Sequence, residues 1–126
     1  MASKLKIMLI DDDMGVLESL GESLSSRGFS IKPFKNPKNA IEAYRSDKFD
    51  VVITDLKLPG INGFEVLRAV RARNPEAYVI ILSSFDDPDN LEKAMNNGAY
   101  KFYRKPLLDM EDFVDTLYKI EQQMKR

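Results

Sequence analysis

The sequence predicts an α/β fold in which helices cover both faces of an open, parallel, five-stranded sheet. Strand-like apolar segments alternate with amphipathic helical patterns along the whole chain, without a linker, repeat or low-complexity segment. The first, third and fourth of these segments are nearly continuous in Ile, Val, Leu and Met, which is typical of parallel strands covered on both faces. Such alternation indicates right-handed crossovers between parallel strands, and therefore a doubly wound sheet.

The first strand–helix unit begins with LKIMLI at residues 5–10. Asp13 is the predicted N-cap of the following helix, because its carboxylate can accept hydrogen bonds from the first amides of that helix. Gly28 is expected to end the helix in a left-handed conformation. The inward face of the helix consists of Val16, Leu17, Leu20 and Leu24.

The second and third units begin with SIKPF at residues 30–34 and DVVIT at residues 50–54. Asn36 is the predicted N-cap of the second helix, and Pro37 occupies the first helical position, where its missing N–H costs nothing. The third helix is expected to end at Asn74, because a proline follows. The inward faces of the two helices are Ala40, Ile41 and Tyr44, and then Phe64, Leu67 and Val70.

The fourth and fifth units begin with YVIIL at residues 78–82 and YKFYR at residues 100–104. Asp87 is the predicted N-cap of the fourth helix, and Gly98 is expected to end it. The fifth helix is expected to run close to the end of the sequence. The inward faces of these helices are Leu91, Ala94 and Met95, and then Phe113, Val114, Leu117 and Ile120.

Composition excludes several functional classes. The 126 residues fit one domain, and a net charge of -1 gives no sequence-wide attraction to nucleic acid or to an anionic membrane. The sequence has no Cys and no His, which excludes disulfides, thiolate metal sites and imidazole catalysis. No apolar run approaches the length of a membrane span, and the first residues lack the apolar core of a signal peptide. We therefore expect a cytoplasmic protein that does not insert into a membrane.

Polar residues follow four of the five predicted strands at the point where each strand ends. In sheets of this kind, ligands bind outside the carboxyl ends of the strands. Taken singly, these residues have ordinary explanations as a helix cap, loop acids, a turn residue, a strand-end hydroxyl and a surface lysine. In chain order they are Asp11, Asp12 and Asp13, then Asp55, then Ser83 and Ser84, then Lys105.

Together these groups indicate phosphoryl chemistry. Two like charges about 4 Å apart repel by roughly 4 kcal/mol at an effective dielectric constant of about 20, so clustered carboxylates need a cation or a raised pKa. Hard oxygen ligands without His or Cys suit Mg²⁺, which commonly bridges to phosphate. A carboxylate is a competent nucleophile toward phosphorus, and a hydroxyl and an ammonium group can hold the phosphoryl oxygens.

The chain resembles the receiver domain of bacterial two-component response regulators over essentially its full length. The segments that carry the resemblance are LIDDD, VVITDLKLPGINGFEVL, VIILSS and YKFYRKP. Each alone is a weak signal, and their order and spacing make the resemblance specific. It implies one receiver domain at residues 1–126, with a flavodoxin-like fold and strand order 2-1-3-4-5. It also implies a cis peptide bond between Lys105 and Pro106.

The resemblance implies a phosphoacceptor and a metal site among the strand-end residues. Asp55 would accept the phosphoryl group. Asp12 would be a direct ligand of Mg²⁺, and Asp11 would act largely through water. Asp55 itself and the backbone carbonyl of Lys57 would complete the protein ligands.

The resemblance also implies a switch. Ser83 would be the hydroxyl residue that follows the phosphoryl group, and Lys105 would be the lysine that senses it. Phe102 falls at the aromatic switch position, where Phe has no hydroxyl and its movement would be steric only. The output surface would be the fourth helix, fifth strand and fifth helix, residues 88–124.

Three positions are expected to tune the lifetime of the phosphate. Lys57 and Phe85 occupy variable positions beside the phosphorylation site, and Ser84 stands where the family often has Ala. We expect Phe85 to shield the acyl phosphate, Lys57 to add positive charge, and Ser84 to narrow access for a donor or for water. Slow autodephosphorylation would result. Asn62 replaces a frequent Asp, with little effect expected.

The function implied is a phosphorylation-controlled signalling module rather than an enzyme with an external substrate. A sensor histidine kinase or a phosphotransfer protein would supply the phosphoryl group from its own phosphohistidine, and the domain would catalyse only its own phosphorylation and dephosphorylation. The state of Asp55 would be read by a downstream effector domain or protein, or through a dimer formed on phosphorylation. No DNA-binding helix pair or second catalytic domain follows the last helix. The sequence leaves open whether the receiver stands alone or whether an output domain has been removed from it.

Two other classes remain open at this point. A receiver-shaped interaction module could act without phosphorylation, although the joint presence of Asp55, Ser83 and Lys105 argues against this class. A haloacid-dehalogenase-like phosphatase could use Asp11 and Asp13, which loosely match its nucleophile motif. The chain is short for such an enzyme with a cap, and Asp55 would have no role in it.

Overall fold

In the computed structural model, which describes residues 5–84 and 88–124, strands and helices alternate along the chain. The strands are β1 (Lys6–Ile10), β2 (Ser30–Phe34), β3 (Val51–Asp55), β4 (Tyr78–Ser83) and β5 (Lys101–Arg104). The helices are α1 (Met14–Ser25), α2 (Pro37–Ser46), α3 (Gly63–Arg73), α4 (Pro88–Asn96) and α5 (Met110–Met124). Each of the five predicted strand–helix units is present.

The strands form one parallel sheet in the order β2-β1-β3-β4-β5, which confirms the predicted fold class. Apolar side chains fill both faces. One core cluster joins the sheet to α2, α3 and α4, and the other joins it to α1 and α5. Strand β3 serves both clusters, because Val52 faces the first while Val51 and Ile53 face the second. This explains why β3 begins with three consecutive apolar residues, Val51, Val52 and Ile53.

Strands β3 and β4 each end one residue later than predicted. Both ends lie at the sheet edge that carries the polar residues. Asp55 lies within β3 and pairs with Leu82, and Ser83 lies within β4 and pairs with Arg104. Their backbones therefore belong to the hydrogen-bonded sheet rather than to loops. Conversely, Leu5, Asp50 and Tyr100 lie just outside the strands.

The helix ends follow the predicted capping chemistry. The side chains of Asp13 and Asn36 accept hydrogen bonds from the first amides of α1 and α2. Gly28 and Gly98 have positive φ angles of 93° and 94°, as expected for glycines that end helices. The predicted cap at Asp87 lies outside the described residues. The peptide bond between Lys105 and Pro106 is cis, as expected.

The N-terminus of α3 carries a capping box that sequence reasoning missed. The side chain of Asn62 accepts a hydrogen bond from the amide of Glu65, and the carboxylate of Glu65 accepts one from the amide of Asn62. The signal was present, because Asn followed three positions later by Glu is the pattern of such a box. Asn62 is thus a helix cap as well as a turn residue.

The two edge strands of the sheet are β2 and β5. In β2, Ser30 N donates to Leu5 O and Phe34 O accepts from Asp11 N, so the alternate residue Pro33 turns its backbone nitrogen away from β1. Proline has no N–H, and the outer edge of β2 lacks a donor at that position. The opposite edge strand, β5, has four residues, and its Lys101 is exposed.

No helix within the described part of the chain is long and apolar enough to cross a membrane.

Candidate functional site

The carboxyl ends of the strands bring the predicted site residues to one edge of the sheet. Asp11 and Asp12 directly follow β1, Asp55 ends β3, Ser83 ends β4 and Lys105 directly follows β5. Because β1, β3, β4 and β5 are successive neighbours in a parallel sheet, these residues converge without help from distant loops. The amide of Lys105 donates to the carbonyl of Ser83, which fixes the start of the β5–α5 loop against β4.

An acidic cluster lies at the centre of this edge. One carboxylate oxygen from each of Asp11, Asp12 and Asp55 lies within 4.8 Å of the others. Asp11 is 1% exposed and Asp55 is 7% exposed, whereas Asp12 is exposed. A set of hard carboxylate oxygens that is buried on one side and open to solvent on the other has the chemistry that oxygen-seeking divalent cations require.

Lys105 supplies the positive charge on the other side of the cluster. Its Nζ lies 2.7 Å from Oδ2 of Asp11 and 3.3 Å from Oδ2 of Asp55. The lysine side chain is 18% exposed, so both ion pairs are largely shielded from water. One ammonium group is shared between two buried carboxylates, and the site keeps an excess of negative charge.

The ionisation of this site follows from burial and from the neighbouring charges. Burial raises the pKa of Asp55, and the negative charge of Asp11 raises it further, while Lys105 opposes both effects. Burial alone would lower the pKa of Lys105, but its hydrogen bond to Asp11 and the charges of both aspartates outweigh burial and raise it. Lys105 therefore stays charged, and it compensates the charge of Asp55 only in part.

Asp11 and Asp13 are held by the backbone of the loop after β1. The Oδ1 atom of Asp11 accepts a hydrogen bond from the amide of Asp13 at 3.0 Å, so both oxygens of Asp11 are engaged. The Oδ1 atom of Asp13 accepts from the amides of Gly15 and Val16, at 2.8 and 3.4 Å. Asp13 thus acts as a helix cap, which disfavours the phosphatase hypothesis that needs it as a catalytic acid.

The backbone at Asp55 has contacts that sequence reasoning missed. The hydroxyl of Thr54 donates a hydrogen bond to the carbonyl oxygen of Asp55 at 2.9 Å. The next residue is held through both of its backbone polar groups, because Leu56 N donates to Leu82 O at 2.8 Å and Gly63 N donates to Leu56 O at 2.7 Å. The hydroxyl within an otherwise apolar strand was the available signal for Thr54. No local pattern identified Gly63.

Gly63 is required by close backbone contact. A methyl group at this position would lie 2.6 Å from the carbonyl oxygen of Asp55 and 2.8 Å from Cα of Leu56. Both atoms belong to the backbone, so α3 or the end of β3 would have to shift. We expect Gly63→Ala to lower the free energy of unfolding by about 1 to 3 kcal/mol, measured by urea denaturation.

Gly21→Ala is the matched control. Gly21 lies inside α1, and the nearest atom to an added methyl group is Cγ2 of Ile31 at 4.0 Å, an ordinary contact. Alanine in a helix is more stable than glycine by roughly 0.5 to 1 kcal/mol, so this variant should be more stable than the native protein. Equal stability of the two variants would contradict the close contact at Gly63.

Three of the predicted tuning and switch residues, Lys57, Ser84 and Phe102, lie in the described part of the chain. Lys57 and Ser84 are exposed, and Ser84 and Lys105 line a groove of about 620 Å³ beside α1 and the β5–α5 loop. Phe102 is half-buried and packs against the core cluster of α2, α3 and α4. Phe85 lies outside the described residues.

Comparison with known proteins gives a consistent result. A family model described as the response regulator receiver domain matches residues 7–118. The transcriptional regulatory protein FixJ of Bradyrhizobium diazoefficiens is 31% identical over 109 residues, and the match covers 86% of this chain and 53% of FixJ. A cyclic di-GMP phosphodiesterase of Thermotoga maritima is 31% identical over 103 residues, and the match covers 82% of this chain and 27% of that protein.

A solved structure has the same fold at similar identity. It is a response regulator receiver domain protein from Clostridium thermocellum, which is 29% identical with a TM-score of 0.88. The match covers 96% of this chain and 97% of that one. By contrast, this chain spans only 27% and 53% of the two curated relatives, so their names describe proteins with additional parts.

Proposed function

Because the chain belongs to the family of response regulator receiver domains, we propose that it is switched by transfer of a phosphoryl group to Asp55. The observation that carries this proposal is the position of Asp55. It ends a central strand, is 7% exposed, lies beside the acidic residues that follow β1, and is 3.3 Å from the ammonium group of Lys105. A nucleophile held on a rigid strand beside a fixed positive charge is suited to phosphoryl transfer.

The donor set of the acidic cluster fits Mg²⁺, and Asp12 and Asp55 are the side chains that would hold it directly. Asp11, whose two oxygens are engaged by the Asp13 amide and Lys105, would act largely through water. The backbone carbonyl of Lys57 is the further protein ligand that we propose. When bound, the ion neutralises charge on the phosphoryl oxygens and on the clustered carboxylates. Asp12 is exposed and therefore the most accessible of the three to an ion arriving from solvent.

The chain's own groups perform the remaining work of the transfer. A carboxylate oxygen of Asp55 attacks phosphorus, the bond between phosphorus and the partner's imidazole nitrogen breaks, and the imidazole leaves. Lys105, whose Nζ lies 3.3 Å from Oδ2 of Asp55, pairs with the new phosphoryl oxygens. Ser83, at the end of the adjacent strand, provides a hydroxyl for another phosphoryl oxygen. Asp11 holds Lys105 in place through its 2.7 Å ion pair.

The new charge would then bias a two-state domain. Movement of Ser83 toward the phosphoryl group would leave space beside β4, into which half-buried Phe102 would turn. The surface that changes is α4, β5 and α5. Leu91 and Met95 were predicted to face inward with Ala94, but they are 46% and 44% exposed while Ala94 is fully buried. Helix α4 suits the output role because these two apolar side chains are accessible.

The partners follow from this chemistry. A sensor histidine kinase or phosphotransfer protein would donate the phosphoryl group, and an effector domain, an effector protein or a second copy of the domain would read the output surface. We place the protein in the cytoplasm with its donor. Lys57, Ser84 and Phe85 would set how long the phosphate persists, through charge near it and access of water to it.

Mass spectrometry of the intact protein tests the proposal. Incubation with acetyl phosphate and Mg²⁺ should add a single phosphate, because a small phosphoanhydride can replace the partner's phosphohistidine. The adduct should be absent with a chelator and should be lost on treatment with hydroxylamine, which cleaves acyl phosphates. A native protein that gains no phosphate under these conditions would favour the interaction module, and continuous release of free phosphate far above the rate of adduct decay would favour a phosphatase.

A further inference from the structure

Thr54 is a fully buried polar residue that stands in β3 between three apolar residues and Asp55. It is 0% exposed and pairs in the sheet with Ile10 on one side and Ile81 on the other. Both isoleucines belong to the core cluster of α2, α3 and α4. Valine would fill the same volume there without a hydroxyl to desolvate, and a buried hydroxyl needs a partner to offset that cost.

The partner of this hydroxyl is the backbone of the proposed phosphoacceptor. Oγ1 of Thr54 lies 2.9 Å from the carbonyl oxygen of Asp55 and donates to it. The same oxygen is approached from α3 by Gly63, where even a Cβ atom would come within 2.6 Å. A donated hydrogen bond and a close steric contact therefore act on one carbonyl group.

The orientation of that carbonyl fixes the peptide plane between Asp55 and Leu56. The amide on the other side of the plane, Leu56 N, donates to Leu82 O at 2.8 Å, and Leu56 O accepts from Gly63 N at 2.7 Å. The backbone therefore leaves β3 along one path. That path determines the direction of the Asp55 side chain and the position of Lys57, two residues later.

We propose that Thr54 is a positioning residue, whose hydroxyl holds the Asp55–Leu56 peptide in the orientation that the phosphorylation site requires. Thr54 acts through Asp55 and touches neither phosphate nor metal itself. The proposal rests on the proposed function for its consequence, since it predicts how well the site accepts a phosphoryl group. The hydrogen bond to the Asp55 carbonyl exists without either ligand, so the positioning can be measured separately.

Three variants separate positioning from a simple role in the core. Thr54→Val removes the donor and preserves the volume, whereas Thr54→Ser keeps the donor and removes a methyl group. Thr116→Val is the control, because Thr116 is also buried, and its hydroxyl bonds Tyr103 and the Asp112 carbonyl within the β5–α5 region. If Thr54→Val does not fold, the pair Thr54→Ser and Thr54→Ala gives the same comparison.

Three measurements apply to each variant. Amide hydrogen exchange of Leu56 and Gly63, read by NMR without metal and referenced to Val79 in β4, reports on the peptide itself. Titration with Mg²⁺ alone reports on the geometry of the acidic cluster. The rate of phosphorylation by acetyl phosphate, measured over a range of Mg²⁺ concentrations, separates the maximal rate from the half-saturating concentration.

We expect Thr54→Val to speed exchange at Leu56 and Gly63, weaken Mg²⁺ binding and lower the maximal rate, each by about three- to tenfold, the effect of one lost hydrogen bond. Thr54→Ser keeps the hydrogen-bond donor, so its exchange rates, Mg²⁺ affinity and maximal rate of phosphorylation should lie within about twofold of the native values. Thr116→Val should lose global stability and leave all three unchanged.

Two outcomes would overturn the positioning role. One is a Thr54→Val protein in which the amides of Leu56 and Gly63 exchange hydrogen at the same rate as in the native protein. The other is a Thr54→Val protein in which these amides exchange faster but the affinity for Mg²⁺ is unchanged. If the native protein itself accepts no phosphate, the proposed function fails, while exchange and Mg²⁺ titration still decide whether Thr54 positions the acidic site.

Discussion

Asp55→Asn is expected to abolish phosphorylation and, without metal, to raise the free energy of unfolding by about 1 kcal/mol at neutral pH. The carboxamide has nearly the same shape as the carboxylate, but it is a poor nucleophile and carries no charge. The native carboxylate is buried and lies beside Asp11, and both effects raise its pKa. Removing the charge removes an unfavourable interaction, while Lys105 keeps its ion pair with Asp11 at 2.7 Å.

The pH dependence of this stabilisation follows from the direction of the pKa shift. The pKa of Asp55 in the folded state lies above its ordinary value of 3.8, so the folded protein binds this proton more tightly than the unfolded chain does. The penalty for ionisation is complete above the folded-state pKa and disappears as the pH falls toward 3.8. The stability advantage of Asp55→Asn should therefore shrink through that window on acidification.

Asp47→Asn provides a control of opposite sign. The hydrogen bond from Lys6 lowers the pKa of Asp47, so its ionised form stabilises the folded state above pH 3.8. This variant should be less stable than the native protein at neutral pH, and the difference should vanish as the pH falls through the folded-state pKa of Asp47. Urea denaturation at several pH values measures both variants. A destabilised Asp55→Asn protein with native phosphate uptake would contradict both the assignment and its electrostatics.

Lys105→Gln is expected to have the second largest effect, a loss of about 2 kcal/mol of stability without metal and at least a tenfold slower phosphorylation. Loss of the ammonium group leaves Asp11, which is 1% exposed, and Asp55 without their shared cation. The loss is smaller than for a completely buried ion pair, because water and protonation of the carboxylates compensate in part. Added Mg²⁺ should recover part of the stability, since it supplies positive charge to the same carboxylates.

Two further variants test this explanation. Lys57→Gln removes an exposed lysine that follows β3 and should change stability little, by less than about 0.5 kcal/mol. The double variant with Asp55→Asn and Lys105→Gln should be more stable than Lys105→Gln alone, because one of the two uncompensated charges is gone. Strictly additive effects of the two substitutions would show that Lys105 and Asp55 do not interact as their 3.3 Å separation indicates.

The fold and the convergence of the site were predictable because they depend on periodicity and topology. Continuous apolar segments identified covered strands, and the parallel sheet then required Asp11, Asp55 and Lys105 to meet at one edge. The strand ends were less predictable. Asp55 and Ser83 are polar, so their residue types indicate a loop, yet each pairs with the neighbouring strand. Pairing with a neighbour is a tertiary property that a local pattern does not contain.

The contacts that fix Asp55 show the same limit. The capping box of Asn62 and Glu65 is local and was recognisable in the sequence. The need for glycine at position 63 was not, because it arises where the first turn of α3 passes within van der Waals contact of β3. Thr54 gave a partial signal as a hydroxyl in an apolar strand, but its choice of acceptor depends on how the chain leaves that strand.

The two edge strands determine how the protein behaves at high concentration. Another chain that tried to extend the sheet beside β2 would meet Pro33, whose nitrogen points outward without a hydrogen, next to the exposed ammonium group of Lys32. On the far side it would meet β5, which is four residues long and carries exposed Lys101. Proline, short length and lysine each oppose edge-to-edge strand addition. Addition of a further strand at either edge of the sheet is therefore disfavoured.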